Sequence, residues 1–174
     1  PQLPALNVEY CDYANWQRTT FSEKSLTQDL EYWQKLLKSS EVLELPTDRP
    51  RPKTPTFRGK RLRFKFSEEE SALVRQFTKA QGTTLFVTLL GVFKTLLSRY
   101  SGQENILVGV PISNRTLTEL QNLVGCALNT VLIRTDFTIE SSFQKVLEQV
   151  SEGTLNALRH QKVPFSLLSK TESE

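Results

Sequence analysis

The residues best suited to chemistry lie in residues 122–136, where polar side chains interrupt an otherwise apolar run. Asn129 and Thr130 place an amide and a hydroxyl in the middle of the run, and Arg134 ends it with a permanent positive charge. The β-branched and apolar residues around them predict a strand. A buried amide without partners costs about 1–3 kcal/mol, and a buried guanidinium costs more. The stretch is therefore either an edge strand with a solvated arginine or a strand that presents polar groups to a channel.

The spacing of Asn129 and Arg134 predicts different roles for the two side chains. They are five positions apart, and successive side chains of a regular strand point to opposite faces. Arg134 is predicted to be held by a carboxylate or by carbonyls and to matter for folding. Asn129 is predicted to face a cleft and to matter more for activity than for stability. A β-bulge between the two positions would place both on one face.

Other catalytic chemistry has few candidate residues. The sequence contains neither a G-x-S-x-G nucleophile motif nor a glycine-rich phosphate loop. Cys11 and Cys126 are far apart without metal-ligand spacing, and reduced, partly buried thiols are expected. His160 is the only histidine, and it ends a predicted helix, where an imidazolium suits the helix dipole. The residue types therefore predict no metal site and no complete catalytic constellation.

Composition limits the possible partners and locations. The chain of 174 residues is 38% hydrophobic and 24% charged, which suffices for one domain with a genuine core. Its net charge of +3 is mild for a nucleic-acid-binding domain. No apolar run approaches the roughly 20 residues of a membrane span, and no signal peptide is visible. A cytoplasmic protein without nucleic-acid or membrane partners is expected.

Apolar periodicity and capping residues predict four helices, over about residues 26–38, 67–80, 84–100 and 141–160. The second and fourth begin with capping-box patterns, and the second is expected to bury Leu73, Phe77 and Ala80. The third has the widest apolar stripe and is expected to be the most buried helix. Its inward-facing residues are predicted to be Leu85, Phe86, Leu89, Leu90, Phe93, Leu96, Leu97 and Tyr100.

Three strands complete an α/β architecture in one layered domain. Residues 59–66 alternate between apolar and basic side chains, which predicts a strand with one wet face. Residues 106–110 are an apolar run typical of a central strand, and the third strand is the run within residues 122–136. Open α/β sheets tend to place their sites after the carboxyl ends of strands. The polar loop at that end of the second strand contains Ser113, Asn114 and Arg115.

Four stretches jointly resemble the condensation domains of nonribosomal peptide synthetases. Residues 124–134, Val-Gly-Cys-Ala-Leu-Asn-Thr-Val-Leu-Ile-Arg, are similar to the family's (I/V)G-x-F-V-N-T-x-x-x-R. Residues 12–17, Asp-Tyr-Ala-Asn-Trp-Gln, resemble Y-x-D-Y-A-x-W-Q, and residues 43–52 resemble the linker L-E-L-P-T-D-R-P-R-P. Residues 160–165, His-Gln-Lys-Val-Pro-Phe, resemble H-Q-D-x-P-F-E. The family's H-H-x-x-x-D-G motif, which carries its catalytic histidine, is not found in the sequence.

The resemblance implies a chloramphenicol-acetyltransferase-like fold, that of the coenzyme A-dependent acyltransferases, with two α/β lobes around a V-shaped cleft. Residues 22–174 look like the C-terminal lobe, a mixed sheet with packed helices, and residues 1–21 like the inter-lobe segment. The implied activity is amide-bond formation in secondary-metabolite biosynthesis, with both substrates carried as thioesters on phosphopantetheine arms and no cofactor bound directly. The implied partners are donor and acceptor carrier proteins, the N-terminal lobe of the same domain and an adjacent adenylation domain.

The same resemblance assigns roles to individual residues. Because the H-H-x-x-x-D-G motif is absent, no catalytic residue is assigned, and the polypeptide alone is expected to be inactive. Two alternative functions are a non-catalytic module for carrier-protein docking and a coenzyme A-dependent acyltransferase relative. Arg134, His160 and Gln161 are expected to combine structural and functional roles. The residues expected to line the cleft or substrate channel are Asn129, Trp16, Ser113, Asn114 and Arg115.

Overall fold

A computed structural model of the chain describes residues 6–38, 40–138 and 141–171. These residues form six α-helices, two β-strands and a 3₁₀ turn at Thr118–Leu120. The chain divides into two compact units. Unit 1 comprises Pro1–Glu41, Leu107–Arg134 and Gly153–Glu174, and unit 2 comprises Val42–Ile106 and Thr135–Glu152. In chain order the elements are α1 (Tyr10–Thr20), α2 (Glu23–Lys38), α3 (Glu68–Ala80), α4 (Leu85–Ser101), β1 (Asn105–Ile112), β2 (Asn129–Asp136), α5 (Phe143–Arg159) and α6 (Phe165–Thr171).

The strands β1 and β2 form an antiparallel pair. The backbone N–H of Phe137 donates to the carbonyl of Glu104 at 2.6 Å, so the end of β2 lies beside the start of β1. Farther along, a Cβ added to Gly109 would lie 3.3 Å from the Thr130 methyl group. The prediction of a mixed sheet of three strands is therefore wrong for the described residues, in which only β1 and β2 pair.

Residues 59–66 do not form the predicted strand. Leu62, Phe64 and Phe66 are 88%, 76% and 55% exposed, respectively. Alternation of side chains makes a segment suitable for a sheet, but a strand also needs a neighbour for its backbone hydrogen bonds. No segment within the described ranges pairs with residues 59–66, which explains why the pattern alone was insufficient.

Local capping signals predicted helix boundaries well. Ser67 and Glu70 form the expected capping box at the start of α3, with backbone-to-side-chain distances of 2.7 and 3.1 Å. Thr84 caps α4 by accepting a hydrogen bond from the backbone of Val87 at 3.2 Å. At the start of α5, Ser142 rather than the predicted Ser141 accepts the hydrogen bond from the N–H of Lys145.

The first helix, α1, has no strong apolar stripe and was not expected from periodicity. Its start is instead defined by a reciprocal pair, in which Asp12 accepts from the backbone of Glu9 and Glu9 accepts from the backbone of Asp12. This is a capping box made of two carboxylates, and it was the available sequence signal. The helix buries Tyr13 in a small apolar cluster, against which Trp16 packs.

The helix α4 buries a different face from the predicted one. Its buried residues are Val87, Thr88, Leu90, Gly91 and Lys94. This face meets α5 closely enough that a Cβ on Gly91 would lie 2.9 Å from Leu147. A helix that is apolar nearly all round can bury only the face that meets another element. The remaining apolar side chains of α4 stay at least 42% exposed: Leu85, Phe86, Leu89, Val92, Phe93, Leu96 and Tyr100.

Two further expectations about burial are also wrong. Leu73 and Phe77 of α3 are 65% and 38% exposed, and the described buried residue of that helix is Thr78. Cys11 and Cys126, expected to be partly buried, are both exposed. By contrast, the apolar face predicted for α2 is confirmed at Leu26 and Trp33, which are 2% and 1% exposed.

No single helix among the described residues is long and apolar enough to cross a membrane. The consecutive helices α3 and α4 meet the length and composition criteria only when taken together, and the chain bends by 103° between them.

Candidate functional site

Asn129, the first residue of β2, is bound on every side by one turn of backbone. Its side-chain nitrogen donates to the carbonyls of Gln161 and Val163 at 2.9 and 2.8 Å. Its side-chain oxygen accepts from the N–H of Phe165 at 3.0 Å. Since Phe165 is the first residue of α6, the amide also caps that helix from a distant part of the sequence. The expected position in a substrate channel stays a prediction for this half-buried side chain.

The turn that Asn129 binds begins at His160, which is held from its other side by α2. The Nδ1 atom of His160 lies 2.6 Å from Asp29 Oδ1, and its ring stacks on Tyr32 with centroids 4.1 Å apart. The indole N–H of Trp33 donates to the His160 carbonyl at 2.9 Å. An ionised carboxylate only accepts hydrogen bonds, so Asp29 places the imidazole proton on Nδ1. These contacts agree with the structural part of the role predicted for His160.

Gln161 and Arg134 differ in what the structure adds to their predictions. The side chain of Gln161 donates to the carbonyl of Leu158 at 2.7 Å, which ties the turn to the end of α5. Arg134 is half-buried on β2. Near it, a Cβ on Gly153 of α5 would lie 3.5 Å from the Arg134 carbonyl, so the small residue permits close helix–strand packing. The carboxylate or carbonyl partner predicted for the Arg134 guanidinium stays a prediction.

Arg115 binds the loop that leads from β1 towards β2. Its Nη1 atom donates to the carbonyls of Leu120 and Leu123 at 2.6 and 2.8 Å, and Nη2 donates to the carbonyl of Gly125 at 3.2 Å. A guanidinium is suited to this task because its donors form a fixed planar fork. The arginine was predicted to line the channel, whereas these three bonds assign it a structural role in the loop.

The loop is also fixed by close packing at Gly125, whose φ of 153° is rarely adopted by residues with a side chain. A Cβ at this position would lie 2.3 Å from the ring of Tyr10, which is too close for any side chain. The hydroxyl of Tyr10 then donates to the carbonyl of Cys126 at 3.1 Å. The glycine in the predicted motif is thus required by the approach of α1.

Asn114 and Trp16 meet through Tyr13. The side chain of Asn114, at a left-handed φ of 53°, donates to the Tyr13 hydroxyl at 3.2 Å. The ring of Tyr13 lies 6.1 Å from that of Trp16. Burial and the neighbouring Tyr10 raise the pKa of Tyr13, while the Asn114 hydrogen bond opposes the shift. Ser113 is exposed beside this group. Channel contacts of Trp16, Asn114 and Ser113 stay predictions.

The predicted site residues of unit 1 therefore form two clusters. The first, the turn cluster, contains Asn129, His160, Gln161 and their α2 partners. The second, the loop cluster, contains Arg115, Asn114, Trp16 and the tyrosines of α1.

Sequence reasoning missed a buried lysine in unit 2. Lys94 of α4 is 0% exposed, and its Nζ atom donates to the Thr135 hydroxyl at 2.8 Å. Burial lowers its pKa to about 7, although the charge of Asp136 opposes the shift. The signal was its position three residues after Gly91 and seven after Val87, on the face of α4 that is buried.

Comparison with known proteins gives a consistent result. The model of the Condensation domain family matches residues 1–174. One of the proteins that make up the linear gramicidin synthase of Brevibacillus parabrevis is 43% identical over 97% of this chain and 3% of that protein. A four-domain nonribosomal peptide synthetase bound to AMP and glycine aligns with a TM-score of 0.86 and 29% identity, over 96% of this chain and 13% of that chain.

A solved condensation domain confirms the fold class. The first condensation domain of the calcium-dependent antibiotic synthetase aligns with a TM-score of 0.75, over 97% of this chain and 37% of that chain. Its identity of 21% shows the fold alone. The architecture is α/β and chloramphenicol-acetyltransferase-like, with the antiparallel pair described above. This chain belongs to the condensation-domain family of nonribosomal peptide synthetases. It spans only a small part of the length of the synthetases that it matches.

Proposed function

We propose that this chain supplies the C-terminal lobe of a condensation domain that joins an acyl or peptidyl donor to an aminoacyl acceptor. The observation that carries the proposal is the family match over residues 1–174. Both substrates are thioesters on the phosphopantetheine arms of carrier proteins, and an adenylation domain loads the acceptor. The acceptor amine forms a C–N bond with the donor carbonyl, the donor C–S bond breaks, and one amine proton ends on the departing thiol.

The contribution of this lobe is to hold groups in place. Aminolysis of a thioester gains most from bringing the two arms together, and such positioning can supply several kcal/mol of barrier lowering. The loop and turn clusters of unit 1 are rigid supports of the kind that this task requires. Unit 1 is proposed to present Trp16, Ser113 and Asn114 towards the substrate arms. Arg115 and His160 support the backbone behind them.

The reaction is tested with purified, loaded carrier proteins and mass spectrometry of the products. The complete condensation domain containing this chain is expected to form the dipeptidyl thioester on the acceptor carrier. The 174-residue polypeptide alone is expected to give only the uncatalysed rate, because it lacks the H-H-x-x-x-D-G motif. Turnover by this polypeptide alone would contradict the assignment of catalysis to the other lobe. An inactive complete domain would contradict the proposed function.

The exposed apolar residues of unit 2 support the other lobe as a partner. Apolar side chains on α4, together with Phe57, Leu62 and Phe64, are between 42% and 96% exposed. Large exposed apolar surfaces usually mark interaction sites, and uncovered ones drive association. We expect the N-terminal lobe of the domain to cover the apolar face of α4. The proposed location of the assembled synthetase is the cytoplasm.

Self-association of the 174-residue polypeptide is the expected consequence. Sedimentation velocity at high micromolar concentration should show oligomers, because the apolar face of α4 remains uncovered. The double variant Leu89→Lys/Phe93→Lys should shift the population towards monomer with an unchanged circular dichroism spectrum. Val42→Lys is a control, since Val42 is 85% exposed but lies outside the helices. A monomeric wild-type polypeptide would contradict the prediction.

A further inference from the structure

We infer that Asn129 is a positioning residue for the turn at 160–165 and does not contact the reacting groups. The inference rests on the proposed function and changes the role expected for this residue. A carboxamide has two N–H donors and one oxygen acceptor. Both donors of Asn129 are directed at backbone carbonyls, of Gln161 and Val163, at 2.9 and 2.8 Å. No donor of this amide is left for a thioester carbonyl or for the oxyanion of a tetrahedral intermediate.

The geometry also shows what Asn129 positions. Its oxygen holds the N–H of Phe165, so the amide binds both sides of Pro164 and fixes the start of α6. Pro164, Ser166 and Leu167 form one wall of an open pocket of about 370 Å³ in unit 1. The facing wall includes Gln17 and Phe21, at the end of α1 and just beyond it.

Trp16 connects this pocket to the predicted substrate channel. It lies on α1 beside the pocket residue Gln17, and its ring contacts Phe21 with centroids 5.2 Å apart. Loosening the turn would therefore move one wall of a pocket that adjoins a proposed channel residue. Displacements of about 1 Å can reduce a catalysed rate by up to about a hundredfold. Asn129 thus acts on the reaction through Pro164 and α6.

The test compares Asn129→Ala with the matched control Asn122→Ala in the complete condensation domain. Asn122 is an exposed asparagine in the loop before β2. Hydrogen exchange of peptides covering residues 161–165 should become at least about tenfold faster in Asn129→Ala, because the turn loses its bonds. At a temperature where the domain stays folded, kcat should fall about tenfold while the carrier KM changes less than about twofold. The control should change neither quantity.

The variant Asn129→Asp adds a pH readout. A carboxylate cannot donate to the two carbonyls, whereas a protonated carboxyl regains one donor. The kcat deficit of Asn129→Asp relative to wild type should therefore shrink from neutral to mildly acidic pH, whereas that of Asn129→Ala should not. A deficit independent of pH would contradict the donor role.

Two results would overturn the inference. Slower condensation by Asn129→Ala with unchanged exchange at residues 161–165 would mean that the amide acts on the substrate directly. Faster exchange with an unchanged kcat would mean that the turn has no influence on the reaction. If the wild-type complete domain forms no product, the proposed function fails. The exchange measurement then still shows whether the amide holds the turn, and unchanged exchange would overturn that part as well.

Discussion

Replacing Arg115 with alanine is expected to lower the stability of the protein by about 3 kcal/mol, since hydrogen bonds to charged groups contribute about 1.5–3 kcal/mol each. The variant loses guanidinium bonds to the carbonyls of Leu120, Leu123 and Gly125. The half-buried position of the side chain limits the effect below the sum of the bonds. For a chain of this size the Tm should fall by about 6–12 °C.

Thermal and urea unfolding followed by circular dichroism measure this effect. Arg115→Lys should recover only part of the loss, because an ammonium cannot reach three carbonyls with a planar fork. Arg58→Ala is the control, since Arg58 is an exposed arginine in an irregular segment. If Arg115 acted only on a substrate, as a channel residue would, Arg115→Ala would unfold like wild type. That result would contradict the structural role.

Lys94 is expected to make stability rise with pH. Burial lowers the pKa of its amine to about 7 in the folded protein, whereas an unfolded chain has a lysine pKa near about 10.4. Between these values the unfolded state binds more protons than the folded state, so raising the pH favours folding. Below pH 7 the amine is charged in both states, and the full penalty for burying it is present. The gain is at most about 1.4 kcal/mol per pH unit.

The variant Lys94→Met separates this contribution from other titrations. It replaces the buried ammonium with an apolar side chain of similar length, so it should be more stable than wild type in mildly acidic solution. The difference in unfolding free energy should shrink as the pH rises from 7 to about 10, where the wild-type amine is neutral when folded. Lys60→Met, at an exposed position, should show no such trend. Parallel stability curves for wild type and Lys94→Met would contradict the prediction.

The sequence alone determined the features that depend on near neighbours along the chain. Ser67 and Glu70 are three residues apart, so their capping box forms whatever surrounds it. The same holds for Thr84 at the start of α4 and for the apolar face of α2. Motif order pointed to the condensation-domain family, which the family match confirms. These predictions succeeded because the interacting residues lie within one or two helical turns.

Tertiary structure decided the features that depend on which distant segments meet. The buried face of α4 is the face that contacts α5 at Gly91, which apolar periodicity could not select from a helix apolar on most sides. Residues 59–66 have the pattern of a strand, but a strand forms only where another segment supplies hydrogen bonds. Asn129 and Arg115 were chosen correctly as unusual residues. Their partners are carbonyls 5 to 34 residues away, and the positions of those carbonyls are set by the fold.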